Sequence, residues 1–283
     1  MKYLSFRHDG TESFGAVVND GVVDLKPRLS GRFARLRDAL EPENLARLAG
    51  AAAGAEPDYG LNEIDFLPPI PDPGKVLCIG INYQTHRQET GRPKYDHPTV
   101  FTRFADTLVG HKGAIIRPKV SDKLDYEGEL AVVIGRPGRH IAEQDALAHV
   151  AGYACFNEGS VRDWQRHTLQ FTPGKNFAHT GGFGPWLVTA DEMTDLDGAA
   201  ITTRLNGTVM QNAVLGDMIF PIPALIHYIS TFTPLSPGDV ICTGTPGGVG
   251  VKREPPVFMK PGDLAEVEIA GVGTLVNPIA DEA

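Results

Sequence analysis

The 283-residue sequence predicts a mixed α and β fold in two parts, a small N-terminal sheet with short helices and then a larger strand-rich part. Three observations carry this. Residues 2 to 25 alternate apolar and polar positions around an Asn19-Asp20-Gly21 turn, the chemistry of a hairpin between Phe14-Val18 and Val22-Leu25. From Leu67 to Gly74 four prolines block both helix and central strand, which sets a boundary near residue 70 and divides the chain into 1–70 and 71–283. Beyond it, Lys75 to Gly80, Leu130 to Gly135 and Val150 to Phe156 are short apolar runs of the kind that form buried strands.

Composition narrows the function. A formal net charge of -9 and the lack of any basic run argue against a nucleic-acid surface, which needs clustered Lys and Arg. Neither a signal-peptide core nor a run of about 18 apolar residues appears, so a cytosolic protein without membrane contact is expected. Cys78, Cys155 and Cys242 are odd in number, far apart and in apolar surroundings, and read as buried free thiols.

Between Phe33 and Ala53 the Leu, Ala and Arg content favours one or two short helices interrupted near Pro42. After the Lys75 to Gly80 strand, Asn82 to Glu89 fits two helical turns, with His86 and Glu89 on one face. Glu89 then accepts a hydrogen bond from one ring nitrogen and leaves the other free as a base; the same spacing also fits an exposed histidine on a surface helix. Gly91-Arg92-Pro93 ends the helix, and the polar loop to Pro98 has the character of a lid. Arg103 and His111, in the strand or loop segments that follow, are candidate anion contacts.

The stretch Asp125-Tyr126-Glu127-Gly128-Glu129 leads into an apolar strand. Side chains alternate along it, so Glu127 and Glu129 share a face as like charges, which a divalent cation compensates unless both glutamates simply face water. Gly128 marks a place where a ligand or another backbone comes close. Ala142 to Ala148 reads as a helical crossover between parallel strands, and it delivers Glu158 beside the pair. Three carboxylates suit Mg²⁺ or Mn²⁺, while the alternative for Glu158 is a helix N-terminal charge ahead of Arg162. Farther on come a turn with Lys175, a glycine-rich loop at Gly181 to Trp186, a strand and turn near Thr202 to Gly207, and an apolar helix at Ile222 to Phe232. Last, Gly244-Thr245-Pro246-Gly247-Gly248 exposes backbone N–H groups able to bind a carboxylate or oxyanion.

Taken in order, Gly80-Ile81-Asn82-Tyr83 with His86 and Glu89, Asp125 to Glu129, Gly152-Tyr153 into Asn157-Glu158-Gly159-Ser160-Val161-Arg162-Asp163, Gly174-Lys175, and Gly244 to Gly250 resemble the fumarylacetoacetate hydrolase family over residues 72 to 279. The resemblance implies an α+β fold, a large mixed β-roll or sandwich with peripheral helices, forming a homodimer with one divalent ion, Mg²⁺ or Mn²⁺, per chain. It implies that Glu127, Glu129 and Glu158 are metal ligands and that His86 and Glu89 form a catalytic dyad on a lid. It implies that Lys175 and Thr245 line the substrate site, Lys175 as a catalytic group; Gly244 and Arg103, from the reading of the residues themselves, are further candidate substrate contacts. Two departures stand out: many members have Asp where this chain has Glu158, and many have Asp in the segment that here reads Asn176-Phe177-Ala178-His179.

The activity this implies is hydrolysis of a carbon–carbon bond in an acylpyruvate or related 2,4-dioxo acid. Decarboxylation of a 2-oxo acid, hydration and tautomerisation use the same scaffold. A different class, a metal-bearing binding protein without turnover, would account for the Ala178 departure, although the retained His86 and Lys175 speak against it.

Overall fold

A computed structural model describes residues 1–283. Its centre is a 12-stranded mixed sheet. In spatial order the main path runs through Tyr59–Gly60, Gly21–Asp24, Thr11–Val18, Lys2–His8, Gly181–Thr189, Val150–Glu158, Gly128–Ile134, Val240–Cys242, Val76–Gly80 and Thr99–Arg103. A five-stranded sheet, Thr208–Val214, Ala200–Leu205, Leu264–Ile269, Gly273–Asp281 and Ile115–Arg117, packs on one face. With its peripheral helices this is the α+β sheet architecture expected. No helix is long and apolar enough to cross a membrane.

Residues 1–70 add their strands to the same large sheet, because Lys2–His8 pairs antiparallel with Gly181–Thr189. The predicted hairpin is present: Asn19 and Asp20 take φ of 46° and 58° between Thr11–Val18 and Gly21–Asp24, the positive angles a two-residue turn of matching twist requires. Pro42 differs from expectation. It opens the helix Pro42–Ala52 as its first residue, where its missing N–H would have had no partner, and so starts a helix where an interruption was expected.

Alternation along Gly128–Ile134 builds both cores. Leu130, Val132 and Ile134 face the second sheet and the helix Ile222–Phe232, which contributes Ile222, Leu225, Ile226 and Ile229 at helical spacing. Ala131 and Val133 face the opposite core, formed with Phe14, Leu36 and Leu48 from the N-terminal part and with Cys78 and Cys242. All three cysteines are buried and free.

Two strand expectations need correction. Val150–Glu158 runs antiparallel to Gly128–Ile134, not parallel; Gly128 pairs with Asn157. The connection contains a 3-10 segment, Glu143–His149, that packs on the helix Ile222–Phe232 at the end of the sheet and turns back instead of crossing it. Gly181–Thr189 is a central strand, not a loop. Its glycines serve close approach: a Cβ on Gly182 would lie 2.4 Å from Asn277 Oδ1, and one on Gly181 3.1 Å from the Arg103 guanidinium.

Candidate active site

Antiparallel pairing still brings the acids together. Glu158 N–H donates to Glu127 O at 2.8 Å, so the end of one strand lies against the start of the other. Glu127, Glu129 and Glu158 each offer a carboxylate oxygen, and these lie within 4.8 Å of one another, all buried. Glu127 and Glu129 share the face that continues into Ala131 and Val133, as the alternation required. The close neighbour of Gly128 is a side chain: a Cβ there would lie 2.0 Å from Thr203 Oγ1.

The charges around the triad are unequal. Arg162 Nη1 lies 2.6 Å from Glu127 Oε1, and Lys175 Nζ bridges Glu127 Oε2 at 2.5 Å and Glu158 Oε2 at 2.8 Å. Burial pushes the Glu127 carboxyl up, but Arg162 and Lys175 together pull it well below the usual carboxylate range. Glu129 has no cationic partner; it accepts only Gly244 N–H at 2.9 Å, and burial with the neighbouring Glu158 charge drives it far up. Four buried carboxylates, Asp125, Glu127, Glu129 and Glu158, therefore stand against three buried cations, Arg103, Arg162 and Lys175. Glu158 Oε1 has no hydrogen-bond partner. A buried excess of negative charge with an orphaned carboxylate oxygen fits a hard divalent ion.

Arg162 and Asp125 are residues that the sequence did not mark as part of the site. Asp125 accepts from Arg162 Nε at 2.7 Å, from Tyr126 N and Gly250 N on Oδ1, and from Val251 N on Oδ2. Glu158, for which a helix N-terminal charge ahead of Arg162 was the alternative, pairs with Lys175, while Arg162 is engaged by Asp125 and Glu127. Both residues lie inside the quoted motif stretches, and a buried acidic strand without an evident counter-charge was the signal that could have found the arginine.

The helix Gln84–Thr90 ends on Gly91, whose φ of 66° makes it a left-handed cap. His86 on it is buried, against the exposed alternative, with Nδ1 2.7 Å from Glu89 Oε1. With Glu89 ionised, Nδ1–H donates and Nε2 keeps a lone pair that no other hydrogen bond occupies. His86, the three acids, Lys175 and Thr245 all line one cavity of about 810 Å³. Phe101 forms another wall, with Lys175 Nζ 5.1 Å from its ring centre.

The other candidates lie elsewhere or are engaged. Arg103 sits behind the triad, bonding Thr107, Gly159 O and Thr180, with Nη1 4.0 Å from Glu158. His111 packs on Phe66 and accepts Val276 N–H, away from the cavity. The Thr245 hydroxyl donates to Gly128 O and accepts from Gln211. The glycine loop binds the protein's own acceptors: Gly244 N–H goes to Glu129, Gly247 to Thr85, Gly248 to Glu89, and Gly250 and Val251 to Asp125. Residues 176–179 do not line the cavity; Asn176 ties Phe104 N and Thr102 O together instead.

Comparison with known proteins gives concordant matches. The fumarylacetoacetate (FAA) hydrolase C-terminal family model matches residues 75–280. The mitochondrial oxaloacetate tautomerase FAHD2A of Bos taurus is 40% identical over 282 residues, covering 98% of this chain and 88% of that protein. The fumarylacetoacetate hydrolase of Exiguobacterium antarcticum superposes with a TM-score of 0.84 at 32% identity, covering 100% of both chains. The maleylpyruvate hydrolase of Sphingobium sp. SYK-6, solved with manganese(II) and pyruvate, superposes over 100% of both chains with a TM-score of 0.84 at 26% identity.

Proposed function

Because the chain belongs to the fumarylacetoacetate hydrolase family, we propose that it is a divalent-metal-dependent enzyme that interconverts the keto and enol forms of a 2-oxo dicarboxylic acid of the oxaloacetate class. The observation that carries this is the opening of a carboxylate-backed histidine and an acidic triad into one cavity. The bovine relative, matched along nearly the whole chain, is named for that reaction.

In this reading Glu127, Glu129 and Glu158 hold the ion, Mg²⁺ or Mn²⁺, as the manganese in the Sphingobium relative supports. When bound, the ion supplies Lewis-acid charge to the oxygens of the 2-oxo acid. His86 Nε2 accepts the proton from the carbon beside the ketone, the electron pair of that C–H bond forms the C=C bond of the enolate, and the C=O π pair moves onto the carbonyl oxygen. Glu89 fixes the ring tautomer and stabilises the imidazolium that forms. Lys175 stays cationic, because Glu127 and Glu158 outweigh the cost of its burial, and it gives positive charge beside the developing enolate. Return of the proton to oxygen completes an isomerisation with no net loss or gain of atoms.

A second reading, hydrolysis of a carbon–carbon bond in an acylpyruvate, is favoured by the size of the cavity. About 810 Å³ is in the upper part of the roughly 300–1,000 Å³ range that encloses drug-sized ligands, and is more than a four-carbon acid needs. Here His86 would deprotonate a water. Purified protein with Mg²⁺ or Mn²⁺ is given oxaloacetate in D₂O, and acylpyruvates in a parallel assay. Accelerated deuterium exchange at C3 without loss of substrate supports tautomerisation, and pyruvate released from acylpyruvates supports hydrolysis. No acceleration of either with either ion would overturn both.

A further inference from the structure

The helix that carries His86 has only seven residues, too short to hold its place by its own hydrogen bonds. Its N-terminal side is firmly anchored. Asn82 bonds Phe220 N and O, Thr243 O and, through its own carbonyl, Ile219 N, and Tyr83 is fully buried. The helix reaches the glycine loop by one hydrogen bond at each end: Gly247 N–H donates to Thr85 Oγ1 in the first turn at 3.0 Å, and Gly248 N–H donates to Glu89 Oε2 in the last at 2.9 Å. Glu89 thus joins His86 and the loop through different oxygens. The loop is itself held by Glu129 at Gly244 and by Asp125 at Gly250 and Val251. Position 247 is tight for a side chain, since a Cβ there would lie 3.0 Å from Thr85 Cβ and 3.2 Å from its carbonyl carbon and Oγ1, so that Thr85 would have to give way by a few tenths of an ångström.

We propose that Thr85, received by the Gly247 amide, is a positioning residue that seats the His86–Glu89 dyad over the cavity. Glycine at 247 is the surface on which the helix docks. The claim rests on the dyad being the base. One neutral hydrogen bond changes an equilibrium by roughly two- to tenfold, which sets the scale of the effect. Thr85→Val removes the acceptor and keeps the shape, Thr85→Ser keeps the acceptor, and Gly247→Ala crowds the contact from the other side without removing any bond.

The test compares amide hydrogen exchange across 84–90 and steady-state kinetics in the full chain, with thermal melts to establish that each variant is folded. Thr85→Val and Gly247→Ala are expected to raise exchange in 84–90 by roughly two- to tenfold and to lower kcat, with a smaller change in KM. Thr85→Ser should restore both toward wild type. Wild-type exchange in Thr85→Val, equal damage from Val and Ser, or faster exchange with unchanged kcat would each overturn the proposal. If the wild type turns over none of the 2-oxo acids, exchange alone decides the seating of the helix, and the failure lies with the proposed reaction.

Discussion

Glu127 and Glu129 stand two residues apart on one strand face, yet replacing each with glutamine is expected to have unequal effects on the metal-free protein. Glu127→Gln removes the anion that compensates Arg162 at 2.6 Å and Lys175 at 2.5 Å. Breaking a buried pair by removing one partner costs about 3–5 kcal/mol. At about 2 °C per kcal/mol for a chain of this size, the melting temperature should fall by roughly 6–10 °C. Glu129→Gln replaces a carboxyl that burial and the Glu158 charge already hold in its neutral form without metal, and the amide oxygen still accepts Gly244 N–H. Its metal-free melting temperature should stay level or rise. Both variants should lose the rise that an ion causes in the wild type, about 2.7 kcal/mol at a hundredfold excess over Kd. Differential scanning fluorimetry of chelated protein, with and without Mn²⁺, reads all of this. If the two metal-free variants shift together, or if Glu129→Gln keeps the full manganese response, the assignment of charge in the triad is wrong.

His86→Ala is expected to reduce turnover by roughly 10²-fold or more while leaving the manganese-induced rise in melting temperature intact, and Glu89→Gln should act in the same direction less severely. Equal turnover of His86→Ala and wild type would remove the dyad from the reaction. Burial, with Lys112 beside it, pushes His111 down from its ordinary 6.5 to about 4. The folded protein thus keeps this ring neutral where the unfolded chain binds a proton, so its contribution to stability is complete above about pH 6.5 and is lost as pH falls toward 4. Urea melts at pH 7.5 and pH 5 should show a steeper loss in the wild type than in His111→Gln, and parallel losses would contradict that origin.

The local readings that succeeded depend on periodicity or on backbone angle. Asn19-Asp20 had to turn, Gly91 had to end the helix, and Ile222–Phe232 shows its buried stripe in the spacing of its own residues. The adjacency of Glu127 and Glu129, and of His86 with Glu89, also follows from intervals of two and three, which are properties of a strand and a helix before any packing. The family resemblance supplied the order of these motifs.

What lies between motifs had no such local signal. The chain alone does not state whether residues 135–149 cross the sheet or fold back, because a 3-10 segment packed on the helix Ile222–Phe232 meets both needs of composition; only packing made the strands antiparallel. Nor did it say that the glycine loop would give its amides to Glu129, Thr85, Glu89 and Asp125, since an exposed N–H has no preference between a substrate and a carboxylate of the same protein. Counter-charge was the least visible of all. Arg162 and Lys175 are separated from Glu127 by 35 and 48 positions, and their pairing is a consequence of burial, which makes each charge seek a partner wherever the fold brings one. The sequence determined which chemical groups and which local geometries were on hand, and the tertiary structure decided which of them face one another, because desolvation and long-range pairing exist only once the core has closed.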